Sequence, residues 1–492
     1  MTSTNPPSFI DTLIVGAGFG GLCMAIKLRE AGHTDLLILE KGREVGGTWR
    51  DNQYPGAACD VQSHLYSFSF APKLDWPLRY SGWQDIYSYT LDVAERYQLR
   101  PSIRFNREVT GAQFDEASAR WTVSTAQGET WSCRYLVLAS GPLHVPAIPD
   151  IPGLASFQGK LMHSARWDKS YDLTGKRVAS IGSGGSAIQY VPEIAPKVAK
   201  LHVFQRSAAW VVPRDTRHYS TFSQALFNWL PWTRVMHRWG LYWWNESRVW
   251  PFLLPPVARL LQRVVAWRMR RQVRDKATAD ALIPDYTLGC KRVLISNVWL
   301  PTFNRPNVEL VTKPIKEIRE HSIVTADGQE REVDCLILGT GFQVDPRLYM
   351  KGFTLTGRKD HDIHRDWAKL PTAYLGISVA GYPNLFQLVG PHTALGHNSI
   401  IFMIEAQVNY VLRCMDYVRA RGADWLDVTP AAQLKFTQWT QDQLKTTVWN
   451  SGCQSWYQTA DGINFTLWPG STWKYWLRCR NVVADDYEFG KQ

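Results

Sequence analysis

The chain has 492 residues, a length that predicts about three domains. Hydrophobic residues make up 45% and charged residues 20%, a composition typical of a folded protein. No apolar run is long enough to span a membrane, and the short start before the first strand leaves no room for a signal peptide. The eight cysteines form no C-x-x-C pair, so we expect no metal site and no disulfide-reductase centre, and a reducing cytoplasm fits best.

The net charge of +11 is unevenly distributed. Nine arginines lie between positions 234 and 274, against a single acid, Glu246. The rest of the chain is nearly balanced, so we do not expect a nucleic-acid-binding protein.

The first predicted element is a βαβ unit over residues 12–40. Strand Leu13–Val15 runs into a glycine-rich turn, a helix ends near Gly32, and strand Leu36–Leu39 ends at an acid. Such a turn holds a pyrophosphate at a helix N-terminus, and the acid accepts from a ribose hydroxyl. The alternative is an ordinary βαβ turn without a ligand. The predicted nucleotide contacts are Gly16, Gly18, Phe19, Gly20, Gly21, Glu40 and Lys41.

A second glycine turn follows strand Val178–Ile181, and two such turns predict two nucleotides held face to face. Strand Leu201–Phe204 comes next, and Arg206 stands 19 residues after Ala187, where an NAD site would have an acid. An arginine there favours the 2′-phosphate of NADPH over NADH, whereas the alternative is an exposed surface arginine. The predicted contacts are Gly182, Ser183, Gly184, Ser186, Ala187, Gln189, Arg206 and Ser207.

Two similar strands that end in small residues, Tyr135–Gly141 and Leu336–Phe342, indicate paired crossings between two domains. The fold class is therefore α/β, with two Rossmann-like dinucleotide-binding domains, the NADP domain inserted into the FAD domain, and a helical insertion rich in Trp and Arg. The predicted segments are 1–145 (FAD), 146–215 (NADPH), 216–285 (helical insertion), 286–335 (NADPH) and 336–492 (FAD).

The segment 216–285 leaves three alternatives open. Residues 257–274 place apolar side chains at helical spacing with arginines between them. The segment could roof a hydrophobic substrate tunnel, lie on an acidic membrane through 226–274 as a weak association, or pack as an ordinary subdomain with a snorkelling basic face. Its tryptophans are Trp229, Trp232, Trp239, Trp243, Trp244, Trp250 and Trp267.

The tail is predicted to complete the FAD domain. A strand over 385–390 ends at a turn, and a helix runs from about Ser399 to Arg419, its N-terminus able to face the flavin. His397 and Asn398 either polarise a carbonyl or cap and pack the helix. The tryptophans beyond it are expected in the core or in a tunnel wall: Trp456, Trp468, Trp473 and Trp476.

The stretch 157–168 resembles the signature of the flavin-dependent (type I) Baeyer–Villiger monooxygenases, a Phe-x-Gly-x-x-x-His-x-x-x-Trp-Pro/Asp pattern. The chain matches it with Phe157, Gly159, His163, Trp167 and Asp168. The resemblance extends over essentially the whole chain. It implies FAD and NADPH as cofactors and O₂ as co-substrate. We assign His163 and Trp167 to a linker that couples domain motion to NADP binding, the alternative for His163 being a structural histidine.

The resemblance also implies site residues that the spacing alone does not. Asp60 would orient the catalytic Arg292, although a loop Asp of this kind can also simply form a turn. Lys291 would bind the 2′-phosphate, and without the resemblance Lys291 and Arg292 would be a surface dibasic pair. The remaining flavin contacts would be Gly47, Thr48, Trp49, Val61, Tyr66 and, at the adenine end, Val109.

The implied reaction is insertion of one oxygen next to a ketone carbonyl through a flavin C4a-peroxide, giving an ester or lactone. The aromatic and apolar insertion suggests a hydrophobic, aliphatic ketone, with a bulky cyclic ketone as the alternative. One rival is a flavin-dependent S- or N-oxygenase or hydroxylase with the same cofactors. Another is a peripheral membrane or partner-binding flavoprotein whose Trp/Arg segment is its main surface.

Overall fold

Two sheets, each with a glycine turn at its carboxyl edge, organise the chain in a computed structural model that describes residues 8–491. Residues 1–7 and 492, the outer ends of the predicted FAD segments, lie outside the described residues. The strands are β1 (Ser8–Val15), β2 (Leu36–Glu40), β3 (Ile103–Phe105), β4 (Val109–Asp115), β5 (Arg120–Thr125), β6 (Thr130–Leu138), β7 (Lys160–His163), β8 (Arg177–Ile181), β9 (Lys200–Phe204), β10 (Val211–Val212), β11 (Leu294–Ile295), β12 (Val308–Val311), β13 (Ile315–Ile318), β14 (Ser322–Thr325), β15 (Glu330–Glu332), β16 (Cys335–Leu338), β17 (Thr354–Thr356), β18 (Leu385–Gln387), β19 (Trp425–Val428) and β20 (Tyr487–Gly490).

The helices connect these strands and form the insertion and most of the tail. They are α1 (Phe19–Glu30), α2 (Thr48–Asp51), α3 (Trp83–Arg96), α4 (Ala187–Ile194), α5 (Thr221–Trp229), α6 (Pro231–Ser247), α7 (Trp250–Leu253), α8 (Pro255–Arg270), α9 (Lys276–Ala281), α10 (Trp299–Thr302), α11 (Pro346–Tyr349), α12 (Ile363–Asp366), α13 (Ile400–Ala420), α14 (Pro430–Lys445) and α15 (Thr472–Arg478). Within residues 8–491 no helix is both long enough and apolar enough to cross a membrane.

The first sheet has eight strands in the order β17-β4-β5-β6-β1-β2-β3, with β18 also paired to β6. Strand β1 lies between β2 and β6 and is parallel to both. Every residue of β2 is buried, as expected for a parallel strand covered on both faces. Helices α1 and α13 pack on this sheet and contribute to its largest hydrophobic core.

The second sheet has five parallel strands in the order β12-β9-β8-β16-β7. All of them come from residues 160–338, between the β6 and β17 strands of the first sheet. This confirms the predicted insertion of one nucleotide-binding domain into the other. Helices α5 to α9 fall within the predicted insertion 216–285, while the segment boundaries themselves remain predictions.

The paired crossings show why each turn begins with glycine. Gly16 has φ +104°, and a Cβ there would lie 2.8 Å from the Ala139 carbonyl oxygen. Gly182 has φ +112°, and its Cβ would lie 2.3 Å from the Gly339 carbonyl oxygen. In both sheets the turn therefore has to pass against the backbone at the end of a neighbouring strand, which leaves no space for a side chain.

The signature stretch 157–168 was predicted to be a linker. This is wrong for residues 160–163, which form the edge strand β7 of the second sheet. Leu161 and Met162 pair with Leu336 and Ile337 of β16. Gly159 precedes this strand, and a Cβ there would lie 2.7 Å from the Asp334 carbonyl oxygen. The pairing of this edge strand depends on partners 175 positions away, so the local pattern did not reveal it.

The remaining signature side chains secure the chain around β7. His163 is buried, its Nδ1 accepts from the Ala165 amide at 3.1 Å, and burial lowers its pKa to about 4, so it is neutral at pH 7. The Trp167 ring lies 5.5 Å from the Tyr190 ring of α4. Asp168 forms an ion pair with Lys160. These contacts are structural, which favours the alternative of a structural histidine.

The tail forms the predicted strand and helix. Ser399 caps α13, its hydroxyl accepting from the Ile401 amide at 3.3 Å. Trp468 is 2% exposed and belongs to the core, as expected. Trp473 and Trp476 are 37% and 39% exposed and do not line the cleft between the two sheets, which contradicts their expected position in the core or in a tunnel wall.

A disulfide joins Cys290 and Cys453, which are separated by 163 positions, while the other six cysteines are free and buried. It links the loop before Lys291 to the loop after α14. The scattered cysteines had not predicted this pairing, because the connectivity of distant cysteines is not visible in a sequence. Such bonds are rare in a reducing cytoplasm, and the cytoplasmic location remains a prediction.

We predict that Gly159→Ala lowers the free energy of unfolding by about 1–3 kcal/mol, since the added methyl overpacks the approach of β7 to Asp334. Thermal unfolding measured by circular dichroism tests this. Gly240→Ala is the matched control, because a Cβ at Gly240 meets nothing within 4 Å inside helix α6. Equal melting temperatures for wild type and Gly159→Ala would show that the contact is not restrictive.

We also predict that the Cys290→Ala/Cys453→Ala variant loses about 2–4 kcal/mol of stability, the usual effect of removing a disulfide that closes a long loop. Mass spectrometry of alkylated protein should find two fewer reactive thiols in unreduced than in reduced wild type. A reductant should lower the melting temperature of wild type and leave that of the double variant unchanged. Eight alkylated cysteines in the unreduced protein would contradict the disulfide.

Candidate active site

A cleft of about 1790 Å³ opens where the carboxyl edges of the two sheets face each other. Both glycine turns border it, as does the loop 289–292 that follows the insertion. Nearly all the residues that the sequence singled out as nucleotide contacts line this cleft: Gly16, Gly18, Phe19, Gly20, Glu40, Lys41, Gly47, Thr48, Trp49, Asp60, Val61, Tyr66, Val109, Gly182, Ser183, Gly184, Ser186, Gln189, Arg206, Ser207, Lys291 and Arg292.

Among the predicted nucleotide contacts, Gly21 and Ala187 do not line the cleft, and their contacts with a nucleotide stay predictions. A Cβ at Gly21 would lie 1.9 Å from the Gly16 carbonyl oxygen, so this glycine closes the turn from behind. Ala187 is fully buried under the second turn. The spacing pattern does not distinguish turn residues that line the cleft from those that pack behind it.

The acid at the end of β2 stabilises the first turn. Glu40 accepts from the Ala17 amide at 2.8 Å, from the Gly42 amide at 2.7 Å and from Arg50 Nη1 at 2.7 Å. A carboxylate has about four acceptor positions, so roughly one remains for a ligand hydroxyl. Arg50, a cleft residue that the sequence analysis did not select, thus holds Glu40 in place.

Aromatic side chains form one wall beside this turn. Trp49 donates its indole N–H to the Tyr66 hydroxyl at 3.2 Å, and the Phe19 and Tyr66 rings lie 5.4 Å apart. Opposite them, Gly18 and Gly47 approach so closely that a Cβ on Gly47 would lie 3.2 Å from the Gly18 Cα. The result is a narrow cradle of exposed backbone with an apolar wall, which suits a diphosphate joined to a flat ring system.

The structure brings Asp60 and Arg292 together across 232 positions of sequence. Arg292 Nε donates to Asp60 Oδ2 at 3.0 Å, and Nη2 donates to the same oxygen. Both side chains line the cleft, with 42% of the Arg292 side chain and 27% of the Asp60 side chain exposed. The negative charge of Asp60 raises the pKa of Arg292, so the guanidinium is permanently charged.

Gln189 of α4 holds the loop that leads to Asp60. Its side-chain oxygen accepts from the Tyr54 hydroxyl at 2.9 Å and from the Ala58 amide at 3.3 Å, and its Nε2 donates to the Ala58 carbonyl at 2.9 Å. Gln189 was predicted as a nucleotide contact. Its amide is instead occupied by this clamp between the two domains, although the residue still borders the cleft.

A second cationic group borders the cleft on the residue that precedes Arg292. Lys291 Nζ donates to the Ser207 hydroxyl at 3.3 Å and lies 4.6 Å from the centre of the Tyr286 ring. Burial and the neighbouring Arg206 charge lower the pKa of Lys291. A Cβ on Gly184 would meet nothing within 4 Å, so the second turn is open on this side. Two cations held together beside an open turn favour an anionic ligand.

The residues before α13 support the packing alternative. Asn398 borders the cleft, but its amide donates to Glu246 at 2.7 Å and its oxygen accepts from the Ser399 amide at 2.8 Å. The His397 side chain has no exposed surface and lies 3.6 Å from Glu246. Neither side chain is free to polarise a carbonyl in this arrangement.

Three comparisons with known proteins agree with this geometry. The profile of the pyridine nucleotide-disulphide oxidoreductase family matches residues 13–222. A Baeyer–Villiger monooxygenase from Streptomyces coelicolor is 43% identical over 97% of this chain and 92% of its own length. Another, from Pseudomonas aeruginosa, is 42% identical over 96% of this chain and 90% of its own.

Solved structures of two relatives have the same fold. A steroid monooxygenase bound to NADP superposes with a TM-score of 0.89 and 31% identity, and a closed cyclohexanone monooxygenase with 0.89 and 28%. Each alignment covers 99% of this chain and 100% of the other. Sequence identity, fold and the pairing of Asp60 with Arg292 thus lead to one assignment: the chain belongs to the family of flavin-dependent Baeyer–Villiger monooxygenases.

Proposed function

We propose that this protein binds FAD at the first turn and NADPH at the second, and uses O₂ to insert one oxygen next to the carbonyl of a hydrophobic, aliphatic ketone. The observation that carries the proposal is the Asp60–Arg292 ion pair, which lies in the cleft between the two turns. When bound, the flavin supplies the oxygen-transfer chemistry after reduction by NADPH.

The cleft is suited to two dinucleotides. Gly16, Gly18 and Gly47 would hold the FAD diphosphate, with Glu40 accepting from the ribose and Trp49 and Tyr66 beside the ring system. Val109 would contact the adenine end. Gly182 and Gly184 would hold the NADPH diphosphate, and Arg206 with Lys291 would bind the 2′-phosphate.

Arg292 would act on the ketone through its unused donors. A guanidinium has five N–H groups, and Asp60 engages two of them, so about three remain for oxygens in the cleft. When the carbonyl carbon is attacked, negative charge develops on the carbonyl oxygen, and a fixed cation beside it lowers the barrier. Asp60 would be a positioning residue, since it sets the direction of the guanidinium.

The hydrophobic substrate class is supported by the cleft wall near the tail. Leu395, Ile400, Ile404 and Phe465 contribute apolar surface to it. Such a wall excludes water and binds an aliphatic chain without competing for the polar groups. The same wall would accept a sulfide, so product analysis on a ketone and a sulfide separates the proposal from an S-oxygenase.

We predict that Arg292→Ala retains FAD and oxidises NADPH but forms ester at least about 100-fold more slowly, the usual effect of losing one group that stabilises charge in the transition state. The NADPH consumed should appear as hydrogen peroxide. Mass analysis of the product measures ester formation, peroxide quantification measures the uncoupled NADPH oxidation, and flavin absorbance measures the retained FAD. Arg305→Ala, an exposed arginine outside the cleft, is the control. Ester formation at the wild-type rate would remove Arg292 from the mechanism.

A separate prediction concerns the choice of nicotinamide. Arg206→Gln and Lys291→Gln should each raise the KM for NADPH by about 10–100-fold, the value of one charge-assisted hydrogen bond, and change the KM for NADH by less than about threefold. Steady-state kinetics with both coenzymes measures this ratio. Lys316→Gln serves as the control for the loss of one positive charge. An equal rise for both coenzymes would exclude binding of the 2′-phosphate.

A further inference from the structure

Helix α6 exposes a row of large apolar side chains, which is not expected for the outward side of a helix in water. The spacing of three and four residues places one row of large apolar side chains on the same side of the helix. Their exposed fractions are 59%, 64%, 57% and 49%, for Trp232, Met236, Trp239 and Trp243.

The inward side of α6 buries Leu241 and Tyr242 together with polar groups that are all hydrogen-bonded. Arg238 donates to two backbone carbonyls, at 2.5 and 3.0 Å. Asn245 exchanges hydrogen bonds with Gln62, the shorter at 2.7 Å, and Glu246 accepts from the Thr472 amide at 2.7 Å. Turning the helix over would leave these buried groups without partners, so its orientation is fixed by hydrogen bonds and the tryptophans must face outward.

Helices α5 and α8, on either side of α6 in the chain, also expose large apolar side chains. On α8, Val257, Leu260, Val264 and Trp267 recur at helical spacing and are 38%, 65%, 58% and 57% exposed. On α5, Phe222 and Trp229 are 75% and 79% exposed. We call these ten residues of α5, α6 and α8 the outer face. Exposed apolar area on this scale marks a surface that is covered in use.

The charge around the outer face indicates the kind of partner that covers it. Between 216 and 274 the only acid is Glu246, which is 4% exposed, so this segment presents essentially no carboxylate to the outside. Arg259, Arg263 and Arg268 are exposed beside the apolar row of α8 and have no carboxylate within salt-bridge distance among residues 8–491. An aromatic surface flanked by unpaired arginines is complementary to an anionic, amphipathic partner.

We infer that the outer face docks the protein on the surface of an anionic lipid bilayer, with α6 and α8 lying in the plane of the interface. Tryptophan prefers the headgroup boundary, and the arginines would meet lipid phosphates. A second copy of this chain fits less well, because a two-fold contact would set the same unpaired arginines against one another. No described helix can span the bilayer, so the attachment is peripheral.

Flotation of the FAD-loaded full-length protein with vesicles tests this. Phosphatidylglycerol vesicles should carry at least about tenfold more protein than phosphatidylcholine vesicles, and the difference should shrink as salt screens the arginines. Equal flotation with both lipids, or none with phosphatidylglycerol, would overturn the inference.

Three variants separate the contributions. Trp232→Gln/Trp239→Gln/Trp243→Gln should reduce binding to phosphatidylglycerol vesicles at least about tenfold, because the apolar contact is lost. Arg259→Gln/Arg263→Gln/Arg268→Gln should remove the preference for anionic lipid. The control, Leu161→Gln/Leu348→Gln/Leu434→Gln, changes three exposed leucines outside the outer face and should bind like wild type.

The substituted side chains are exposed, so each variant should retain its flavin and its circular dichroism spectrum. Loss of binding in the leucine control as large as in the tryptophan variant would overturn the inference. Analytical sedimentation without lipid tests whether a second copy of the chain, rather than a bilayer, occupies the outer face. A wild-type dimer that the tryptophan substitutions convert to monomers would assign the outer face to a second copy of the chain.

Discussion

The ion pair between Asp60 and Arg292 depends on how the two nucleotide-binding domains meet. Asp60 follows a loop of the first domain, and Arg292 follows the insertion in the second. Gln189 fixes that loop to α4 with three hydrogen bonds. Gly56 allows the contact, since its φ is +74° and a Cβ there would lie 2.8 Å from the Gln189 carbonyl oxygen. A shift between the domains would therefore separate the cation from its carboxylate.

Features determined by neighbouring residues were predictable from the sequence. The turns at Gly16 and Gly182 were predictable because a glycine-rich turn between an apolar strand and a helix is typical of a dinucleotide-binding unit. The acid Glu40 followed from its distance to the first turn. The pairing of Asp60 with Arg292 required the family resemblance, since nothing local to either residue indicates a partner 232 positions away.

The features that were missed or mistaken depend on contacts between distant segments. Strand β7 depends on its pairing with β16. The Cys290–Cys453 disulfide depends on two distant loops that meet in the fold. Gln189 borders the cleft, yet its side chain is hydrogen-bonded to the other domain. A sequence pattern indicates that a residue lies near a site, but not which of two neighbours takes its hydrogen bonds.

Helix α6 shows the same limit in another form. Its spacing predicts two different faces, but periodicity does not say which face is inside. The choice is made by the groups that α6 meets: Glu246 accepts from Asn398 and Thr472 beneath the helix, and no apolar substitute could satisfy those donors. Because Asn398 also borders the cleft, one helix connects the wall of the reaction chamber to the outer face. In the proposed docking, this wall of the cleft would therefore lie on the side of the protein that faces the bilayer.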